Sequence, residues 1–225
     1  MSNLRLHYLP TSPFSKKVLY VAKHYGIDAE LIQVNPFIPE QRAALRSLTA
    51  LGKLPVLEVD DSVVSESSLV VEAIERAVDK HQFVPKEPNA SAQVRHWDRV
   101  LDTYLIAPVL EMLIDNFQGK APATDNRAKD KLYRIATIYT QLEQQLKAVA
   151  GEGGDKPTLL GGAITLADIT ALSILPLAHL VKPLSDYQYL SAYIEAHQQD
   201  PIWQAINSEA EAYTPAFIES VSNAA

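Results

Sequence analysis

LRLHYLPTSPFSKKV (Leu4–Val18) joins a short alternating run to a segment with helical spacing, and its reading decides the first half of the chain. In LRLHY, Leu4, Leu6 and Tyr8 fall on one face and Arg5 and His7 on the other, the period of a strand. Val18, Val21, Ala22 and Tyr25 then recur at helical spacing, and Gly26 supplies a helix stop. Between the two lie a pair of prolines and the hydroxyls of Tyr8, Thr11, Ser12 and Ser15. Ser12 ahead of Pro13 reads as an N-cap followed by proline at the first helical position, where a missing N–H costs nothing. Capping alone accounts for the pattern. The same geometry leaves unpaired N–H groups and the positive end of a helix dipole at the turn, which favours an anion. A hydroxyl there can also donate to a thiolate and lower the thiol's pKa. Both readings stay open on this stretch alone.

Working outward, AELIQV reads as a second strand, PEQRAALRSL as a second helix, and LPVLEV with SVVS as a hairpin about Asp60 and Asp61. ESSLVVEAIERAV closes the unit as a helix with Val70, Ala73, Ile74 and Ala77 inward. The order is strand, helix, strand, helix, strand, strand, helix. At HQFVPKEPNA two prolines and mixed charge predict a linker, residues 81–89. Beyond it the period is helical. Val94, Trp97, Leu101, Tyr104 and Leu105 mark one helix, with a kink expected at Pro108. Ala128, Leu132, Ile135, Tyr139, Leu142, Leu146 and Val149 form the seam of another. The glycine cluster GEGGDKP interrupts before TLADITALSIL and YLSAYIEAHQQDPIWQAI resume helical spacing. The expectation is an α/β domain over residues 1–80 and an all-α domain over 90–225.

Composition narrows the chemistry. The 225 residues suffice for one large domain or two modest ones, and 47% apolar with 21% charged residues is ordinary for a globular protein. A net charge of −7 with no basic run argues against nucleic acid as partner. The absence of cysteine removes disulfides, thiolate metal sites and any protein-borne thiol nucleophile. MSNLRLHYLP lacks the charged-then-apolar order of a signal peptide, and ITALSILPLAHLV is too short and interrupted to span a bilayer. A cytoplasmic protein without a membrane partner is the expectation. Histidines at 7, 24, 81, 96, 179 and 197 show no metal-ligand spacing, so no metal is expected.

Two more junctions resemble the first in kind. In GKLPVL, Leu54–Pro55 stands at a strand entrance, where local sequence favours a trans bond. A cis bond would turn the Leu54 backbone outward to pair with an extended ligand, and Lys53 could meet a carboxylate. In SESS, Ser65 is a competent N-cap and Glu66 suits the first turn. Glu66 and Ser67 would also supply an acceptor for an amine and a donor for a carboxylate, the two charges of an amino-acid head group.

SPFSKKV, GKLPVL and ESSLVVEAI in this order, a proline-bearing linker, a helical second half and ITLADI (Ile164–Ile169) together resemble a soluble glutathione transferase over nearly the full length. In ITLADI, Thr165 would cap a helix while Asp168 reaches back to the cap's N–H. The resemblance implies a thioredoxin-like N-terminal domain, an all-helical C-terminal domain and a homodimer. It implies glutathione as co-substrate on the first domain and a small apolar electrophile against the second, where Trp97, Tyr104 and Asn116 lie on a helix over the cleft. Ser12 matches the activating serine of serine-using, bacterial-like members and is the preferred residue because SPF continues that pattern. Tyr8, which stands where tyrosine-using members place their hydroxyl, is the alternative. Glutathione would be held by Ser12, Lys53, Leu54, Glu66 and Ser67, with the resemblance implying a cis Pro55 after Leu54. Thr49 and Ala50 replace the asparagine and proline common before the glycine-lysine turn.

The chemistry so implied needs no protein thiol. A thiol of pKa ~8.5 is only a few per cent ionised at neutral pH. A shift of about two units needs about 2.7 kcal/mol, within reach of a charged hydrogen bond plus a helix dipole. Members of one fold also include glutathione-dependent isomerases, dehalogenases and ether-cleaving enzymes, and non-catalytic binding proteins, since fold does not fix function.

Overall fold

The computed structural model describes residues 4–120, 126–152 and 156–224. Contacts divide them into two units, one built from the chain up to Lys80 plus the segment from Pro201 onward, the other from His81–Asp200.

In the first unit the elements run β1 (Leu4–Tyr8), α1 (Pro13–His24), β2 (Glu30–Gln33), α2 (Pro39–Leu48), β3 (Val56–Val59), β4 (Ser62–Ser65) and α3 (Ser67–Ala77). The sheet order is β2-β1-β3-β4, with β1 parallel to β2 and antiparallel to β3, and β3 antiparallel to β4. The thioredoxin-like α/β expectation holds in order and type. Alternation explains the layering. Leu6 and Leu57 pair across β1 and β3 on one face, where α1 packs with α3 through buried Val18, Val21, Val70 and Ile74. On the other face Val34, Leu45 and Val56 form a smaller core with Ile32 and Leu54, which seats α2. On that face, where Arg5 lies opposite Glu58, the guanidinium donates to the carboxylate at 2.8 Å. His7 Nε2 lies 2.6 Å from the same carboxylate. Gly26 ends α1 at φ 62, as its sequence position predicts.

One local expectation is corrected. Ser65 ends β4, and the cap of α3 is Glu66, at φ 71 and with no side-chain capping bond. The strand's own pairing to Val56 holds Ser65 extended, so the helix cannot start until the chain turns at Glu66. Leu54–Pro55 is cis, as the resemblance implies, although the local sequence alone favours trans.

The last helix, α9 (Pro201–Asn223), groups with this unit although its sequence follows the helical half. Its partners explain why. Trp203 lies against Tyr20 at 4.7 Å between ring centroids, and Asn207 accepts from Lys16 Nζ at 3.0 Å. Farther along, Phe217 meets Phe37 edge-on, and Ser220 Oγ accepts from Asn35 Nδ2 at 2.8 Å.

The second unit is helical. α4 (Pro88–Leu101) continues through a π-helical turn, Asp102–Ile106, into α5 (Ala107–Phe117), followed by α6 (Asn126–Ala148), α7 (Leu166–Val181) and α8 (Gln188–His197). The kink expected at Pro108 is instead the π turn ahead of it, and proline sits in the first turn of α5, where no N–H is needed. The extra residue rephases the seam. Leu105 is fully buried, while Tyr104, expected beside it, is half exposed. α4 already begins at Pro88, inside the expected linker, and Phe83 and Val84 before it are buried. α7 is buried nearly all round and centres the bundle, packing against α4. Among the described residues no helix is long and apolar enough to cross a membrane. Residues 153–155 of the expected glycine cluster lie outside the described residues.

ITLADI does what its spacing predicts. Asp168 accepts from the Thr165 N–H at 2.8 Å and the Thr165 hydroxyl at 3.0 Å, and its other oxygen accepts from Leu159 N–H at 2.6 Å and Tyr193 at 3.2 Å. Burial pushes its pKa up, while these donors hold the charged form.

Candidate functional site

The register places three loops together. His7 lies opposite Val56, and Val56 opposite Ser65, in one row across β1, β3 and β4. From that row β1 leads into Ser12, β3 is entered from Lys53–Pro55, and β4 leads into Glu66 and Ser67. All three junctions therefore open at one end of the sheet. Two strand spacings separate β1 from β4, roughly 10 Å, which is about the reach of an extended tripeptide.

Ser12 caps α1 with φ −76 and ψ 123. Its Oγ accepts from Ser15 N–H at 3.4 Å, its N–H donates to Leu9 O at 3.0 Å, and its carbonyl accepts from Lys16 N–H at 2.9 Å. The hydroxyl proton of Ser12 meets no acceptor among the described residues, so capping leaves it available to an anion in front of the helix. Ser15 is committed differently: it is fully buried and its Oγ accepts from Leu9 N–H at 3.1 Å, which closes the turn. The Thr11 hydroxyl is buried without a partner among the described residues.

Tyr8 is spoken for. Its hydroxyl donates to Glu209 Oε1 on α9 at 2.5 Å. Burial, then that bond and the carboxylate's charge, push its pKa above the usual tyrosine range. Lys16, one turn into α1, is nine-tenths buried, and burial lowers its pKa to about 8 although the charge of Glu211 opposes the shift.

Of the remaining residues, Leu54 is half-buried, and no turn or loop bond engages its backbone among the described residues. Lys53 is exposed. Gly52 holds φ 56, and a Cβ there would meet Arg46 Cγ at 2.7 Å, so the turn that presents Lys53 and Leu54 needs glycine. Glu66 is exposed in the left-handed region, a conformation costing about 1–3 kcal/mol that is concentrated at ligand-handling positions. Ser67 is buried in the first turn of α3. Sequence reasoning missed Glu209 and Asn207. They lie some two hundred residues from their partners, on a helix whose pattern gives no hint of where it returns.

In the second unit a groove of about 780 Å³ lies between α4 and α6, lined by Trp97, Tyr104, Tyr133, Arg134, Ile138 and Gln141 among others. Asn116, in the last turn of α5, is not among its lining residues. Among the described residues no three histidine or acidic side chains gather as a metal site.

Known proteins are similar to this chain in sequence and fold. The profile of the glutathione S-transferase N-terminal domain matches residues 11–77, and that of the glutathione S-transferase C-terminal domain matches residues 122–196. A glutathione S-transferase from Pseudomonas putida is 25% identical over 97% of both chains. Glutathione S-transferase U2 from Arabidopsis thaliana is 29% identical over 73% of this chain and 66% of its own. In fold, the chain resembles a glutathione transferase homolog from Drosophila mojavensis with bound glutathione, with a TM-score of 0.80 at 20% identity over 99% and 98% of the two chains. A glutathione S-transferase from Methylobacillus flagellatus with glutathione bound superposes with a TM-score of 0.75 at 22% identity, over 91% and 98%.

Proposed function

Because the chain belongs to the glutathione S-transferase family, we propose that it ionises the thiol of glutathione at Ser12 and directs the thiolate at a small apolar electrophile. One observation carries the reading. The three junctions open at the same end of the sheet, and of the two candidate hydroxyls only Ser12 has an unclaimed proton. In this reading the Leu54 backbone pairs with the cysteinyl part of glutathione, Glu66 and Ser67 take the charged γ-glutamyl head, and Lys53 meets a carboxylate. Residues 1–80 hold glutathione, and the helices of the second unit, from α4 to α8, supply the electrophile's apolar surface.

Ser12 donates to the developing thiolate while the N–H groups and dipole of α1 add positive potential. The thiol proton leaves to solvent, sulfur bonds to the electrophilic carbon, and the leaving group departs with the bonding electrons, or, in an addition, the carbanion is protonated. Overstabilised thiolate attacks poorly, so the useful pKa lies near ambient pH. We place the reaction in the cytoplasm, where the glutathione pool is kept reduced, and assign a homodimer. Exposed Leu51 and Leu69 in the first unit and Tyr104 and Tyr133 beside the groove in the second are apolar surface for a second copy to cover. Sedimentation of Tyr133→Asp against the native chain tests the dimer, with a monomer expected from the variant.

The functional test is conjugation kinetics on a panel of aryl halides and epoxides. Ser12→Ala should lose more than about tenfold in kcat/KM while its affinity for glutathione stays within a few-fold. Glutathione regenerated each cycle would indicate an isomerase, a disulfide product would indicate reductive dehalogenation or ether cleavage, and binding without turnover would indicate a binding protein.

A further inference from the structure

Two hydroxyls stand at the end of β1 and the start of α1, and only one of them is spent. Tyr8 has a single proton to donate, and the carboxylate of Glu209 takes it at 2.5 Å, the length of a charge-assisted bond. α9 is fixed in register around that contact. On one side Asn207 accepts from Lys16 at 3.0 Å and Trp203 packs tilted against Tyr20; on the other Ser220 accepts from Asn35 at 2.8 Å. Glu209 is thus delivered to Tyr8 by a helix anchored at both ends.

We propose that Glu209 is a positioning residue that decides which hydroxyl serves the glutathione thiol, by holding the Tyr8 proton and leaving Ser12 as the donor. This rests on the reading that a thiolate forms at this end of the sheet. A thiolate and a carboxylate compete for one phenolic proton, and a carboxylate already in place on a packed helix wins. Removing it returns Tyr8 to the pool of donors without adding any new group to the site.

The experiment is a rescue. Ser12→Ala, Ser12→Ala/Glu209→Leu, Ser12→Ala/Glu209→Gln and Tyr8→Phe/Ser12→Ala/Glu209→Leu are compared in kcat/KM for conjugation. The phenol of Tyr8 is titrated by its near-ultraviolet absorbance, taken as the difference from the matching Tyr8→Phe variant. Glu209→Leu should restore at least about tenfold of the activity that Ser12→Ala loses, since one well-placed donor in an oxyanion-type site is worth roughly 100–1,000-fold. Glutamine, a neutral acceptor that still holds the proton, should restore less. The Tyr8→Phe variant should abolish the gain, and the phenol should titrate lower in Glu209→Leu. The proposal is overturned if neither Glu209 variant improves on Ser12→Ala, or if the phenol titration does not move. Should Glu209→Leu fail to fold, the glutamine variant and its phenol titration decide alone. If Ser12→Ala itself keeps full activity, the Ser12 reading fails instead, and the phenol titration still judges Glu209.

Discussion

Lys16 is a charge that the fold holds at a cost, and the cost has a pH signature. The residue is nine-tenths buried, and its ammonium donates to Asn207 on α9, a neutral acceptor, at 3.0 Å. Burial lowers its pKa from 10.5 to about 8, with Glu211 pulling weakly the other way. At 1.36 kcal/mol per unit, that is about 3 kcal/mol against the folded state at pH 7, where the lysine is charged in both states. Between pH 8 and 10.5 the unfolded chain holds the proton and the folded chain does not, so this group's contribution to stability rises with pH across that window. Lys16→Met keeps the buried stem and removes the charge. Its gain is offset by about 1 kcal/mol for the lost bond to Asn207, leaving a net stabilisation of about 2 kcal/mol at pH 7. The assay is urea unfolding of both proteins at equal concentration from pH 6 to 10, read as the difference between them, so that other titrating groups cancel. The difference should favour methionine at pH 6–7 and shrink towards pH 10. A difference that does not change with pH, or a variant less stable than the native chain throughout, would refute the reasoning.

Other outcomes follow from the same structure. Hydrogen bonding to His7, with Arg5 beside it, holds the Glu58 carboxyl below its usual range, so its contribution is present above the ordinary carboxylate pKa. That contribution is lost as pH falls through the depressed value, and Glu58→Gln should flatten the corresponding part of an acid-unfolding curve followed by circular dichroism. Gly52→Ala should cost about 1–2 kcal/mol in chemical denaturation, from its left-handed φ and the approach to Arg46, and should weaken glutathione binding measured by calorimetry. Asp168→Ala should destabilise by at least about 3 kcal/mol, because it strands the Leu159 and Thr165 N–H groups in the core. Asp168→Asn should recover only part of that in thermal unfolding.

Much of this was legible because it was local. The alternation of LRLHY, the spacing of Val18, Val21 and Ala22, and the cap at Ser12 are short-range facts, and each of these elements forms where its pattern predicts. ITLADI was readable for the same reason: Thr165 and Asp168 are three residues apart, and their bond is made within one helical turn. Ser65 was misread as a cap because serine's local preference was outweighed by pairing to β3, a partner that SESS does not contain. Tyr104 was misplaced because the chain passes through a π turn at Asp102–Ile106, which shifts the phase that a regular helix would keep. The α9 contacts were invisible for a different reason. Glu209 reads as one more polar residue on an amphipathic helix until the chain folds back and sets it against Tyr8. What no window of sequence holds is the contact that claims the Tyr8 proton, which adds support to the proposed choice of Ser12.

The most direct test titrates the thiolate absorbance of bound glutathione in the native protein, Ser12→Ala and Tyr8→Phe. Ser12→Ala should raise the bound thiol's pKa by more than about one unit, and Tyr8→Phe should leave it nearly unchanged. A large rise in Tyr8→Phe with none in Ser12→Ala would contradict the account and leave Ser12 as a helix cap alone.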